Sequence, residues 1–208
     1  MKAQVAGILL AAGAGHRLGQ PKALVDIGGQ PLVTRGIALL RDGGAAPVIV
    51  VTGAAAVDLT GVVTVHNPRW RTGMGSSLAA GLATAPDECA AVVVALVDQP
   101  LVGAAAVRRL IAAFHDGATV AVAAYGGQPR NPVLLARPHW AEVTALAAGD
   151  AGAREFLRAH PELVTHVECG DTGRPDDIDT SEDLARITGL LDEPEGPSYG
   201  SRSRPARA

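Results

Sequence analysis

The sequence predicts an α/β fold, a three-layer α/β/α, Rossmann-like open sheet whose strands run mostly parallel. Three observations carry this. Five short runs, "QVAGILLA", "APVIVVTG", "GVVTVHN", "AAVVVALVD" and "ATVAVAAY", are apolar almost throughout rather than in alternation, as strands buried on both faces require. Segments of helical spacing separate them, and strand alternating with helix implies right-handed crossovers between parallel neighbours. A glycine-rich loop follows the first run, and open sheets of this kind bind ligands at the carboxyl ends of their strands.

Taken in order, the first run leads into "AAGAGHRLGQPK", and the third into "HNPRW". The segment from Ser76 to Thr84 is rich in Ala and Leu, with Ser76 or Ser77 available to cap its start. The fourth run ends at Asp98-Gln99-Pro100. From Gly103 to Phe114, the residues Val107, Leu110, Ile111 and Phe114 fall at i, i+3, i+4 and i+7, one apolar stripe. After the fifth run, "GGQPRNPVLL" and "GRPDDIDTSED" read as less regular segments. Asp179-Thr180-Ser181 is a capping signal ahead of the final helix, "EDLARITGLL". Residues 1–191 are expected to form one domain. Residues 192–208, rich in Pro, Gly, Ser and Arg, are expected to be a disordered tail.

The 208 residues are 48% apolar, enough for a core without metals or disulfides, and the net charge of −3 gives no footprint for nucleic acid. Two cysteines, Cys89 and Cys169, lie far apart and suit a reducing, cytoplasmic setting. No apolar run approaches the ~20 residues that span a bilayer, and the amino-terminal run breaks into glycines too early for a leader. No membrane partner is expected.

The loop after the first strand fits neither standard phosphate loop. Gly13, Gly15 and Gly19 give G-x-G-x-x-x-G, one residue longer than the dinucleotide fingerprint, and Gln20-Pro21 separates Gly19 from Lys22 where a P-loop has Gly-Lys in succession. What remains is a permissive loop with two cations. Gly13 and Gly15 let backbone N–H groups approach phosphate oxygens, Arg17 offers a planar fork of donors, and Pro21 stiffens the chain before the Lys22 ammonium. This set suits a triphosphate whose α–β bond is to be broken. A glycine turn with surface charges is the plainer alternative.

"LAAGAGHRLGQPK" resembles the signature loop of the nucleotidyltransferases of the sugar-phosphate and molybdenum-cofactor type, the MobA-like NTP transferase family. "HNPRWRTGMGSSLAAGL", "LVDQPL", "GGQPRNPVLL", "GDAGAREFL" and "DIDTSEDL" follow in the order of its molybdenum cofactor cytidylyltransferase branch. The resemblance covers Val5 to Leu191 and makes residues 1–191 a nucleotidyltransferase domain. It implies transfer of a nucleoside monophosphate, CMP in preference, from an NTP with Mg²⁺ to a phosphate-bearing acceptor, by analogy molybdenum-loaded molybdopterin, with release of pyrophosphate. A molybdoenzyme or its chaperone is then an implied partner.

Residue by residue, the resemblance assigns Leu10, Ala11, Ala12, Gly13 and Gly15 to the nucleotide, and Arg17 and Lys22 to its phosphates. The Ala11-Ala12-Gly13 form, where guanylyl enzymes tend to read A-G-G, is the reason for preferring CTP. Asp98, just past the fourth strand, is the metal ligand and Asp179 the second. The alternatives are that Asp98 and Asp179 cap helices. Gly75, Ser76 and Ser77 are assigned to the base and ribose, with Asn67 either reaching the base or forming a turn. Arg130 and Asn131 occupy the acceptor-side motif, usually Arg-Gly-x-Pro, so Asn131 departs from the pattern. Ser181 replaces a common proline, and His16 replaces an arginine of the frequent Arg-Arg pair. Trp70 and Trp140 read as packing residues. Three rivals remain: a guanylyl or other small-molecule NTP transferase, an NAD(P)H-dependent oxidoreductase on the same fold, and a non-catalytic cofactor chaperone.

Overall fold

The computed structural model describes residues 3–192; of the expected tail 192–208, Asp192 ends the last helix and residues 193–208 lie outside the described residues. Seven strands form one sheet: β1 (Gln4–Ala11), β4 (Val48–Thr52), β5 (Val63–His66), β6 (Cys89–Leu96), β7 (Val120–Tyr125), β8 (Gln128–Ala136) and β9 (Val164–Glu168). Two two-residue strands, β2 (Asp26–Ile27) and β3 (Gln30–Pro31), make a separate hairpin. The helices are α1 (Leu32–Asp42), α2 (Met74–Thr84), α3 (Ala104–His115), α4 (Trp140–Leu146), α5 (Arg154–Ala159) and α6 (Ser181–Asp192). Among the described residues no helix is long and apolar enough to cross a membrane.

The sheet order is β5-β4-β1-β6-β8-β7-β9, parallel at every junction except the two made by β8. From β1 the chain winds out through β4 and β5, then returns to lay β6 on the other flank of β1. That reversal opens a crevice at the carboxyl ends of β1 and β6, where the glycine loop and Asp98 both lie.

β1 shows why its sequence is apolar throughout. Val5, Leu9 and Ala11 enter one core with residues of α1, α3 and α6, while Ala6, Ile8 and Leu10 enter the other with residues of α2, α4 and α5. Three layers result. Helices α1 and α2 reach β1 through glycine: a Cβ on Gly36 would lie 2.6 Å from Leu9, and one on Gly81 2.7 Å from Ile8. At an ordinary helix–sheet separation neither contact would arise, so both helices sit close and fix the strand end between them.

Three expectations are corrected. "GVVTVHN" forms β5, an edge strand with Val63 42% exposed, so its apolar run does not mean burial on both faces. "GGQPRNPVLL" is not irregular but lies in β8, between β6 and β7. Its register against β7 jumps from Val133↔Val122 to Arg130↔Ala123, leaving Asn131 and Pro132 in a bulge, and its pairing with β6 begins only at Val133. A proline is tolerated there because no ladder bond is asked of it. Helix α2 starts at Met74, two residues before Ser76, and neither serine caps it. Helix α1 and strand β9 were not read from the sequence; β9 is a half-exposed edge strand, and α1 follows Pro31 without a side-chain cap.

Candidate active site

The loop from Ala12 folds back on itself so that Lys22 returns beneath its start. Its backbone N–H donates to Gly13 O (3.2 Å), and Leu18 N–H donates to Gly15 O (2.8 Å). Gly15 has a φ of +62°, and a Cβ there would fall 2.0 Å from Gln20 O, so this glycine is required by the loop's own closure. Gly13 differs. Its φ is ordinary, and a Cβ would meet only the Lys22 side chain at 3.9 Å, so its smallness leaves open the space beside the lysine.

Lys22 Nζ donates to Asp98 Oδ2 and to Asp179 Oδ1, both at 2.6 Å, and Arg17 Nη2 lies 3.0 Å from Asp179 Oδ2. The four side chains come from three distant segments. Burial alone would lower the Lys22 ammonium's pKa, but Asp98 and Asp179 outweigh it and raise it. The hydrogen bond from Lys22 in turn holds the Asp179 carboxyl below its ordinary value. Asp177 goes the other way: burial first, then the charge of Asp98, push its carboxyl up despite a 2.8 Å hydrogen bond from Gln99 Nε2.

Neither aspartate of this cluster spends its carboxylate on a helix. The α6 cap is Thr180, whose Oγ1 accepts from Asp183 N–H (3.2 Å) while Asp183 Oδ2 accepts from Thr180 N–H (3.0 Å), a reciprocal capping box. Helix α3 starts at Ala104 with Gly103 before it, too far along for Asp98 to serve. Asp98 Oδ1 is buried and has no hydrogen-bond partner among the described residues. An orphaned carboxylate oxygen beside a second carboxylate is the hard-oxygen donor set a divalent cation takes, one or two carboxylates with phosphates and water completing the shell. Asp98 and Asp179 therefore fit such a metal.

A cleft of about 650 Å³ opens over this cluster, lined by Leu10, Ala12, Gly13, His16, Ser77, Lys22, Asp98 and Asp179. Ala11 and Gly15 face elsewhere, and Arg17 stands at the margin with its side chain 66% exposed. Asn67 is a buried turn-former: its Nδ2 donates to Ser76 Oγ (2.8 Å) and Ser77 Oγ (3.0 Å), and its Oδ1 accepts from Arg69 N–H (2.9 Å). Ser76 supports this turn, its Oγ also lying 3.0 Å from Arg69 O, Gly75 packs against Ala147 instead, and only Ser77 of the predicted trio lines the cleft.

Trp70, Arg71 and Asp150 of this wall were not among the predicted site residues. Trp70 lines the cleft with Arg71 stacked 4.5 Å above its ring, and Gly53 makes room for it, since a Cβ there would meet Trp70 at 2.6 Å. Asp150 lines it too and accepts from Met74 N–H (3.3 Å), capping α2 from another segment. The Arg-Trp-Arg run at 69–71 was the available signal. Trp140, as expected, is a packing residue, buried with its Nε1 donating to Leu135 O (3.0 Å).

A second cavity of about 700 Å³ shares Met74, Leu96, Asp98 and Asp179 with the first and continues over β8, β7 and β9. It takes in the predicted Arg130 and Asn131, with Asp177 and Gln99 from the edge of the cluster. Two cavities thus meet at one set of carboxylates.

Residues 7–164 match the family model of the MobA-like NTP transferase domain. The chain belongs to this family. Among curated relatives it is 39% identical over 197 residues to a nicotine blue oxidoreductase of Paenarthrobacter nicotinovorans, spanning 88% of this chain and 96% of that one. It is also 39% identical over 106 residues to a molybdenum cofactor guanylyltransferase of Xanthomonas euvesicatoria, and spans about half (53%) of that protein's length. Among solved structures, a Mycobacterium sp. strain JC1 homologue of Mycobacterium tuberculosis Rv0371c superposes with a TM-score of 0.79 at 30% identity, covering 92% of this chain and 98% of that one. Rv0371c itself, at 27% identity and a TM-score of 0.69 over 89% of this chain and 98% of its own, is known in complex with manganese. The family and the guanylyltransferase relative support nucleotidyltransferase activity.

Proposed function

We propose that the protein transfers a nucleoside monophosphate, CMP in preference, from an NTP to a phosphate-bearing acceptor of the molybdopterin type. One observation carries the reading. Lys22 bridges Asp98 and Asp179 while Asp98 keeps a buried oxygen free, all at the crevice where two cavities meet. The larger share of the donor would occupy the cleft under Ala12, Gly13, Ser77 and Trp70, and the acceptor the second cavity with Arg130 and Asn131.

An acceptor phosphate oxygen attacks the α-phosphorus, and pyrophosphate leaves. No protein base is needed, since a phosphate monoester with a second pKa of about 6 is already ionised at neutral pH. The work is positioning and charge neutralisation. Asp98 and Asp179 would hold the divalent cation, Mg²⁺ or manganese, which supplies charge neutralisation at the triphosphate. Lys22, released from its carboxylates, follows the phosphates, and Arg17 closes over them from the margin. Gly13 leaves the space that lets the chain approach.

A second reading draws on the relative named nicotine blue oxidoreductase, which aligns over nearly its whole length. In that reading the same crevice takes a reduced nicotinamide nucleotide, and the second cavity a planar dye. Pyrophosphate release measured across four nucleoside triphosphates, with and without molybdopterin, beside NADPH oxidation with nicotine blue, separates the two. CTP-dependent release supports the proposal; GTP preference revises the donor, and NADPH oxidation without release replaces the reaction.

A further inference from the structure

The second cavity has carboxylates at one edge, two arginines of helix α5 in its wall and the apolar side chains of Val122, Val133, Leu157 and Val164 between, with Arg130 and Asn131 of β8 also in its lining. Strand register orders its floor: Val133 on β8 opposes Val122 on β7, Val122 opposes His166 on β9, and on β6 Val94, which opposes Val133, lies behind the lining residue Leu96. Directly paired residues project from the same face of a sheet. The three valines belong to the core beneath α2, α4 and α5, so His166 continues their row on that face. Three strand spacings of about 4.8 Å put His166 roughly 14 Å across the sheet from β6, whose end leads to Asp98.

Helix α5 forms the wall above this row. Arg154, Leu157 and Arg158, at i, i+3 and i+4, share one side of the helix and all line the cavity. The chain then passes through Pro161 into β9, so Arg158 stands toward the β9 end. The lining carboxylates, Asp98, Asp177 and Asp179, all belong to the opposite edge. Arg154 makes no ion pair among the described residues. Arg158 pairs with Glu155 at 2.8 Å, an exposed contact within one helix turn that yields readily to a better anion.

We infer that the acceptor is two-headed: besides the phosphate that reacts beside Asp98, it carries a second anionic group, held by Arg154 and Arg158 with His166 at the β9 end, and a flat apolar body between. This rests on the transfer to a phosphate-bearing acceptor proposed above, and not on that acceptor being a pterin, whose ring edges are polar. Arginine forks recognise phosphate or carboxylate oxygens in pairs, and the valine row offers nothing polar to what crosses it.

The test is calorimetry on the full chain with Mg²⁺, using two probes of equal ring body: biphenyl-4-yl phosphate and the same compound bearing a 4′-carboxylate. The carboxylated probe is expected to bind about tenfold more tightly. Arg154→Gln with Arg158→Gln should abolish that difference while leaving the simple phosphate unchanged, and Arg158→Lys should retain part of it. Both arginines are exposed, so the fold is not at stake. Equal affinities in the native chain, a difference that survives in the double variant, or binding of neither probe would each overturn the inference. The readout needs no turnover. Loss of transfer chemistry with the carboxylate preference retained removes the reaction and leaves the subsite, whereas loss of the preference alone removes the subsite.

Discussion

Lys22 finds its two carboxylates 76 and 157 residues away, which is why its role was legible from the sequence only through a family pattern and its geometry was not. The resemblance singled out Lys22, Asp98 and Asp179, and the fold brings those three together. It also singled out Asn67, whose amide instead spends both hydrogens on Ser76 and Ser77. A turn-forming Asn and a base-reading Asn look alike in a sequence, because only burial distinguishes them. Lys22→Ala is expected to lower kcat/KM by on the order of 10²–10³, with the far-UV circular dichroism unchanged. Retained turnover would remove Lys22 from the chemistry. Trp70, read as packing, lines the cleft, so its fluorescence should respond to nucleotide binding, and Trp70→Phe should abolish the response without abolishing binding.

His160 makes a pH prediction at the same scale. Its Nε2 lies 2.8 Å from Glu142 and its Nδ1 3.4 Å from Glu162, and the hydrogen bond to Glu142 leads the causes that raise its pKa. A raised folded-state value means that protonation favours the fold. The contribution is full below the unfolded value of about 6.5 and is lost as pH rises through the folded one. Melting temperatures of the native chain and His160→Gln should therefore differ most near pH 6 and converge as the pH rises through the raised value. A constant gap would assign His160 a packing role against Phe156 instead.

At the level of elements, helix α2 and the segment before α5 behave as one piece. A Cβ on Gly73 would fall 2.3 Å from Gly149 backbone, one on Gly75 2.4 Å from Ala147 O, and Asp150 caps the helix across the same seam. Gly73 also has a φ of +108°. Gly73→Ala combines backbone strain with a backbone clash, and should destabilise by about 2–4 kcal/mol in urea unfolding. Asp150→Ala should cost about 1 kcal/mol, the usual worth of a helix cap. If Gly73→Ala is neutral, helix α2 and the segment before α5 are not locked together at this seam. None of this was readable in advance. "GDAGAREFL" stood out as a motif, but a cap supplied from 76 residues away leaves no local signal. Strand β8 was hidden for a related reason: its prolines argue against a central strand until the bulge is seen.

Across the whole molecule, the order of apolar runs was enough to predict three layers and a parallel core, since burial on both faces of β1, β4 and β6 writes itself into composition. The rest was less legible, because β5 and β9 are edge strands open to solvent, and β8 runs antiparallel to both its neighbours and carries a bulge. What the topology adds is convergence: the reversal at β1 and β6 brings the glycine loop, Asp98 and Asp179 to one crevice and sets two cavities against them. The central claim is that this crevice joins a nucleotide to an acceptor phosphate. Incubating the protein with Mg²⁺, α-phosphorus-labelled CTP and molybdopterin tests it most directly. Label should move to the pterin with one pyrophosphate released per transfer, and Lys22→Ala should slow both by on the order of 10²–10³. Label that stays in CTP while the same preparation oxidises NADPH would contradict it.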